Sequence, residues 1–242
     1  MNIILFIKGS VGLFTYKTLL EHSDFSILPI VHRKNIEALS FLPPECISFS
    51  DESDLISIIQ EYSPLWLVNA WSDFIFTPEV LGSVKHNVNI HPSYLPWGRG
   101  SDCTSHCLEY NYPIGFTFHS MTSSLDDGEI YFQKQIYPPQ FSTGDIVQSL
   151  LIEEIMVHLK KYLPLILRFE LSPRAAPVYD HTDKCYAINT RKMTEAARVR
   201  SHDTFDTVDE LINWILAHHF SPNSFPQLLI RHQKFSIQRL HD

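Results

Sequence analysis

Cysteine is scarce in this chain of 242 residues: Cys46, Cys103, Cys107 and Cys185 are the four, at irregular spacings. No disulfide framework reads from them. Cys103 and Cys107, with His106 and His119 nearby in sequence, offer sulfur and nitrogen ligands. No second tight Cys/His pair accompanies them, so no metal is expected. Long apolar runs are missing as well. The opening Met1-Asn2-Ile3-Ile4-Leu5-Phe6-Ile7-Lys8 is too short for a signal peptide and has no basic leader. No stretch approaches the roughly 18 apolar residues of a membrane helix. A soluble, cytoplasmic chain with no membrane partner is expected. Basic residues are also in deficit, 19 against 27 acidic ones, for a net charge of -8. That balance disfavours a nucleic acid held by its phosphates, while leaving room for a small anion gripped by a local Arg or Lys. The segment Lys8-Gly9-Ser10-Val11-Gly12 lacks the dinucleotide glycine pattern, so NAD is not expected.

What is present is a sheet-forming pattern. Hydrophobic residues make up 44% of the chain, enough to bury a full core. Residues 3–7, 27–31, 64–70 and 88–91 are short apolar runs, which suits strands buried on both faces of a parallel sheet. Between them, 11–21, 51–62 and a short stretch opened by Thr77-Pro78-Glu79 read as helices, with Ser50 or Asp51 and then Thr77 at their N-caps. Strands alternating with helices mean a wound sheet. Residues 115–121 and 130–136 then read as two arms of an antiparallel pair. Thr143-Gly144-Asp145 opens a long amphipathic helix to about Phe169, 207–218 forms another, and 228–238 forms a hairpin around Arg231-His232-Gln233. The expected fold is α/β, with a Rossmann-like, mainly parallel sheet over residues 1–175 and a small C-terminal α+β extension over 176–242.

The chemistry concentrates in Asn87-Val88-Asn89-Ile90-His91-Pro92-Ser93-Tyr94-Leu95-Pro96-Trp97-Gly98-Arg99-Gly100. Alternate residues of a strand share a face, so Asn89 and His91 point the same way. Pro92 ends the strand, which puts both at the C-terminal edge where open parallel sheets bind ligands. A second piece, His119 through Asp126-Asp127-Gly128, places a carboxylate in a loop after a later strand. Such a carboxylate beside an imidazole favours its charged form and fixes its orientation. An amide and an imidazolium stabilise an oxyanion, and a carboxylate such as Asp126 can accept a proton. Asp126 also fits ordinary turn chemistry, and His119 in its alternating strand is as readily structural as supportive.

The run Asn-x-His-Pro-Ser-x-Leu-Pro-x-x-Arg-Gly, followed by Gly-x-Thr-x-His and Leu-Asp-x-Gly, resembles the folate-dependent formyltransferases over roughly residues 1–140. The resemblance implies Asn89, His91 and Asp126 as the catalytic trio and N10-formyltetrahydrofolate as formyl donor. It further implies that the pterin lies against Trp71-Ser72-Asp73-Phe74-Ile75-Phe76-Thr77, with Trp71, Phe74, Ile75, Phe76 and Leu125 around it. The remaining tail, including Tyr186 to Thr194, Thr207 to Asn213 and His219-Phe220-Ser221-Pro222, is similar to that of bacterial sugar N-formyltransferases of O-antigen and lipopolysaccharide synthesis. These act on dTDP-4-amino-4,6-dideoxyglucose or its 3-amino isomer. A nucleotide-linked amino sugar needs a cation and a flat surface, for which Lys8, Arg33, Trp97 and Arg99 are the expected contacts; each also reads as an ordinary packing or solvated residue. The C-terminal extension offers an apolar surface for a homodimer or a cap on the main domain. Alternative readings are formylation of glycinamide ribonucleotide or a hydroxyornithine, hydrolysis of the formylated folate, and a non-enzymatic binder.

Overall fold

The computed structural model describes residues 1–38, 41–180, 182–221 and 224–238. Pro222 of the tail motif lies outside the described residues. The chain divides into two compact units. The first holds Met1–His91, Thr117–Gln133 and Glu154–Ala176, and the second holds Pro92–Phe116, Lys134–Glu153 and Pro177–Asp242.

The apolar runs form strands in the expected order, joined by a short strand, Ile47–Phe49, that the sequence pattern did not include. They are β1 (Asn2–Ile7), β2 (Ser26–His32), β3 (Ile47–Phe49), β4 (Trp66–Ala70), β5 (His86–His91), β6 (Ile114–His119) and β7 (Ile130–Ile136). They make one seven-stranded sheet in the order β3-β2-β1-β4-β5-β6-β7. The pairs β1–β2, β1–β4, β2–β3 and β4–β5 are parallel, and β5–β6 is antiparallel. Ile3 to Ile7 are at most 1% exposed, and all five residues of β4 are buried, as strands covered on both faces require.

Helices α1 (Gly9–Leu20), α2 (Glu52–Tyr62) and α3 (Pro78–Gly82) follow β1, β3 and β4. Asp51 caps α2 by accepting from Asp54 N, and Thr77 caps α3 by accepting from Val80 N. Each satisfies a backbone donor that the first turn leaves open. Helix α5 (Gly144–Leu167) keeps Pro164 inside it. From the fourth turn on it buries Ile155, Leu159, Leu163, Ile166 and Leu167 in the first unit.

The second unit contains α4 (Cys103–Glu109), α6 (Arg191–Ala197), α7 (Val208–Ala217) and a three-stranded sheet ordered β10-β9-β8. The predicted hairpin is β9 (Gln227–Ile230) with β10 (Gln233–Ser236). Sequence patterning missed its third strand, β8 (Val199–Ser201), which lies parallel to β9; three residues are too few to show an alternation. Thr207 caps α7 through Glu210 N, and Glu210 Oε2 accepts from Asp206 N. Gly144 fits here because a Cβ would sit 2.5 Å from the Phe220 ring. No helix among the described residues is long and apolar enough to cross a membrane.

Candidate active site

Strand β5 delivers three polar side chains, Asn87, Asn89 and His91, to one of its faces, the last two in its C-terminal half. Strand β6 runs antiparallel beside it and sets His119 opposite Asn89. The loop from Ser120 to Glu129 then returns Asp126 to the same place, with a left-handed backbone at φ 51°. Asp126 is 9% exposed, Asn89 9%, His91 4% and His119 1%. These polar groups sit almost out of water, where each needs a partner.

They meet around one atom. Asp126 Oδ1 lies 3.5 Å from His91 Nδ1, from His119 Nε2 and from Asn89 Nδ2. Asn89 Nδ2 also donates to His119 Nε2 at 3.1 Å, and His119 Nδ1 donates to the Ser120 carbonyl at 2.7 Å. The structure therefore brings Asn89, His91 and Asp126 together, and adds His119 to the group. Among the described residues, His91, His119 and Asp126 are also the one group of His, Cys, Asp or Glu with ligand atoms close enough to share an ion, all within 4.8 Å. The Nε2 lone pair of His119 is already taken by Asn89. Cys103 and Cys107 are outside that group; burial pushes the Cys107 thiol up to about 12.

Two further asparagines hold this arrangement. Asn69, at the end of β4, donates to Asn89 Oδ1 at 2.9 Å. Asn87 grips the main chain of Met121 twice, its Oδ1 accepting from Met121 N and its Nδ2 donating to Met121 O. That clamp fixes the start of the Asp126 loop. Gly128 closes the loop against Ser120, whose carbonyl oxygen would be 1.8 Å from a Cβ at this position. Sequence reasoning passed over Asn69 and Asn87. The signals were a lone amide inside the apolar run Trp66-Leu67-Val68-Asn69-Ala70 and the shared parity of residues 87, 89 and 91.

The residues expected around a cofactor are dispersed in character. Phe74 and Phe76 pack with Phe6 and Phe49 on the first unit's core, with Phe6–Phe76 centroids 4.7 Å apart and Phe49–Phe74 5.1 Å apart. Ile75 between them is 72% exposed, and Leu125 is 36% exposed. Trp71 is left-handed at φ 68°, and its indole Nε1 is buried with no hydrogen-bond partner. Lys8 pairs with Asp73 at 2.8 Å, and Asn35 donates to the same carboxylate at 2.9 Å. Burial raises the Asp73 carboxyl, but these two partners outweigh it and leave it below its usual range. Arg33 is exposed.

Trp97 and Arg99 belong to the second unit. Trp97 stacks on Tyr94 at 6.0 Å and meets Tyr186 at 5.9 Å. Arg99 is 4% exposed, with its guanidinium over the Tyr179 ring at 5.3 Å. Arg99 is thus an enclosed cation rather than a solvated loop charge.

Residues 41–154 match the family model described as formyl transferase. That span holds Asn89, His91, His119 and Asp126. A methionyl-tRNA formyltransferase from Thermotoga neapolitana is 29% identical over 153 residues, covering 62% of this chain and 47% of its own length. The chain thus spans about half the length of this curated relative. The fold over the whole chain is shared with a sugar N-formyltransferase from Shewanella sp FDAARGOS_354 (TM-score 0.85, 20% identity, covering 100% of this chain and 98% of that one). It is shared too with an N-formyltransferase from Helicobacter canadensis solved with folinic acid and dTDP-3-aminofucose (TM-score 0.72, 15% identity, 96% of this chain and 85% of that one).

Proposed function

We propose that this protein is an N-formyltransferase that moves a formyl group from N10-formyltetrahydrofolate to the amine of a nucleotide-linked amino-dideoxy sugar. The observation that carries the reading is the convergence of Asn89 Nδ2, His91 Nδ1 and His119 Nε2 on Asp126 Oδ1, each at 3.5 Å, at a nearly dry sheet edge. The amine nitrogen attacks the formyl carbon, and the carbonyl electron pair moves onto oxygen. Asn89 and protonated His91 stabilise that oxyanion. The amine's proton passes to Asp126, directly or through water. When the carbonyl reforms, the bond to N10 breaks and N10 takes up a proton relayed by His91. Formamide and tetrahydrofolate leave, with no covalent enzyme intermediate.

A sugar acceptor is supported by the fold shared over nearly full length with sugar N-formyltransferases, and by the enclosed Arg99 and stacked Trp97 as a cation and a flat surface. The loop 71–76 and Leu125 are the proposed walls of the folate site, with the buried indole N–H of Trp71 as a donor awaiting an acceptor. Lys8 and Arg33 are the further proposed contacts to the nucleotide. The test is a panel of dTDP- and UDP-linked 3-amino and 4-amino sugars, glycinamide ribonucleotide and hydroxyornithine, each mixed with N10-formyltetrahydrofolate. Formamide formed on a dTDP-amino sugar is expected. Formylation of another amine alone, or release of formate without an acceptor, would overturn the reading.

A further inference from the structure

The Asn89 carboxamide has two ends of nearly equal size, and only one of them stabilises an oxyanion. Turned the other way, it would present Oδ1 to the developing negative charge and oppose the reaction. Something must set its orientation, and strand geometry alone does not.

The structure contains a chain of hydrogen bonds that does so. Ser72 N donates to Asn69 Oδ1 at 3.1 Å. Asn69 Nδ2 donates to Asn89 Oδ1 at 2.9 Å. Asn89 Nδ2 donates to His119 Nε2 at 3.1 Å, and His119 Nδ1 donates to Ser120 O at 2.7 Å. The first member is a backbone N–H and the last a backbone carbonyl, and neither can reverse its role. Every side chain between them is therefore locked in one direction: each amide oxygen faces back toward Ser72, and His119 bears its proton on Nδ1. Asn69 is 6% exposed, so no water substitutes easily for its amide.

We propose that Asn69 is a positioning residue that holds the Asn89 amide with Nδ2 toward the reacting carbonyl, through a one-way hydrogen-bond chain anchored on the Ser72 N–H and the Ser120 carbonyl. The chain also ties the catalytic amide to the Trp71-Ser72 turn, because Asn69 Nδ2 lies 3.4 Å from Ser72 O as well. A donor that shifts this turn on binding reports directly to Asn89. The inference rests on the formyl-transfer reading above, in which Asn89 serves as the oxyanion donor.

Asn69→Asp tests it. When protonated, the introduced carboxyl has one acceptor and one donor, much as the amide does, and keeps Asn89 in place. When ionised, it offers only acceptors and draws Asn89 Nδ2 toward itself, turning Oδ1 to the reaction centre. The kcat of this variant is expected to fall about 10²-fold below wild type at pH 8, the scale of losing one oxyanion donor, and to recover at least roughly tenfold relative to wild type at pH 5. KM for the acceptor should stay within about threefold of wild type. A ratio of variant to wild-type kcat that is flat with pH would reduce Asn69 to a packing role and overturn the proposal.

A second readout uses the wild-type protein without turnover. The 15N shifts of the His119 ring are expected to show a proton-bearing Nδ1 and a bare Nε2. In Asn69→Ala the Nε2 signal should lose the imprint of its bond from Asn89. A proton on wild-type Nε2, or an unchanged signal in the variant, would refute the one-way chain. A wild-type protein that makes no formamide, while its His119 signals are as described, would count against the function and leave the hydrogen-bond chain standing.

Discussion

Asn89, His91 and Asp126 were legible before any coordinates because their neighbours in sequence define them: parity on a strand, a proline that ends it, and a glycine-closed loop. Their mutual distances now carry a kinetic expectation. Asn89→Ala should lower kcat by about 10²–10³-fold with little change in KM, since the lost bond exists mainly in the transition state; steady-state kinetics on the formamide product checks it. Asn69 was not legible in this way. A buried amide in an apolar run signals only that it has a partner, and the partner, Asn89, lies 20 residues away on the next strand. Cysteine chemistry gives a separate check on burial. Burial holds the Cys107 thiol at about 12 and the Cys46 thiol at about 11. Iodoacetamide at pH 8 should therefore leave both largely unmodified in the folded protein and label them rapidly in urea, with mass spectrometry of the digests as the measurement.

The elements that position the site are the loop between β6 and β7 and the strands beside it. Two devices shape that loop. Asn87 holds Met121 at its start, and Gly128 passes against Ser120 at its end. Asn87→Ala removes both bonds to Met121 and should cost about 1–3 kcal/mol of unfolding free energy, read from urea titration, together with a fall in kcat as Asp126 loses its fixed place. Gly128→Ala pushes a methyl into the carbonyl that anchors His119, so its kcat should drop at least roughly tenfold, on the scale of disturbing a positioned catalytic group, even where the protein still folds; activity at wild-type level would show that the carbonyl is dispensable. The long parallel strands were readable from their apolar runs because burial on both faces leaves no other pattern. The short β3 and β8 were not, since three residues carry no period, and their pairing is decided by neighbours far along the chain.

For the molecule as a whole, charge bears on the acceptor. A net charge of -8 disfavours a duplex or tRNA backbone held by its phosphates, although a curated relative with matching sequence is a methionyl-tRNA formyltransferase. Filter binding at about 0.15 M salt is expected to show no retention of tRNA at about micromolar protein; tight retention would move the acceptor from sugar to tRNA. The wound sheet and the trio at its rim followed from sequence pattern. The enclosed state of Arg99 did not, because a loop arginine between two glycines looks solvated until the Tyr179 ring is placed beneath it.

The claim on which the rest depends is that three side chains act together on one formyl carbon. It is tested most directly by rapid-quench single turnover with a 14C-formyl-labelled folate donor and a dTDP-linked amino sugar, comparing wild type with Asn89→Ala. The label should move to the sugar amide in wild type and about 10²-fold more slowly in the variant, with both ligands bound equally well. Label released as formate by wild type, or an undiminished transfer rate without the Asn89 amide, would contradict it.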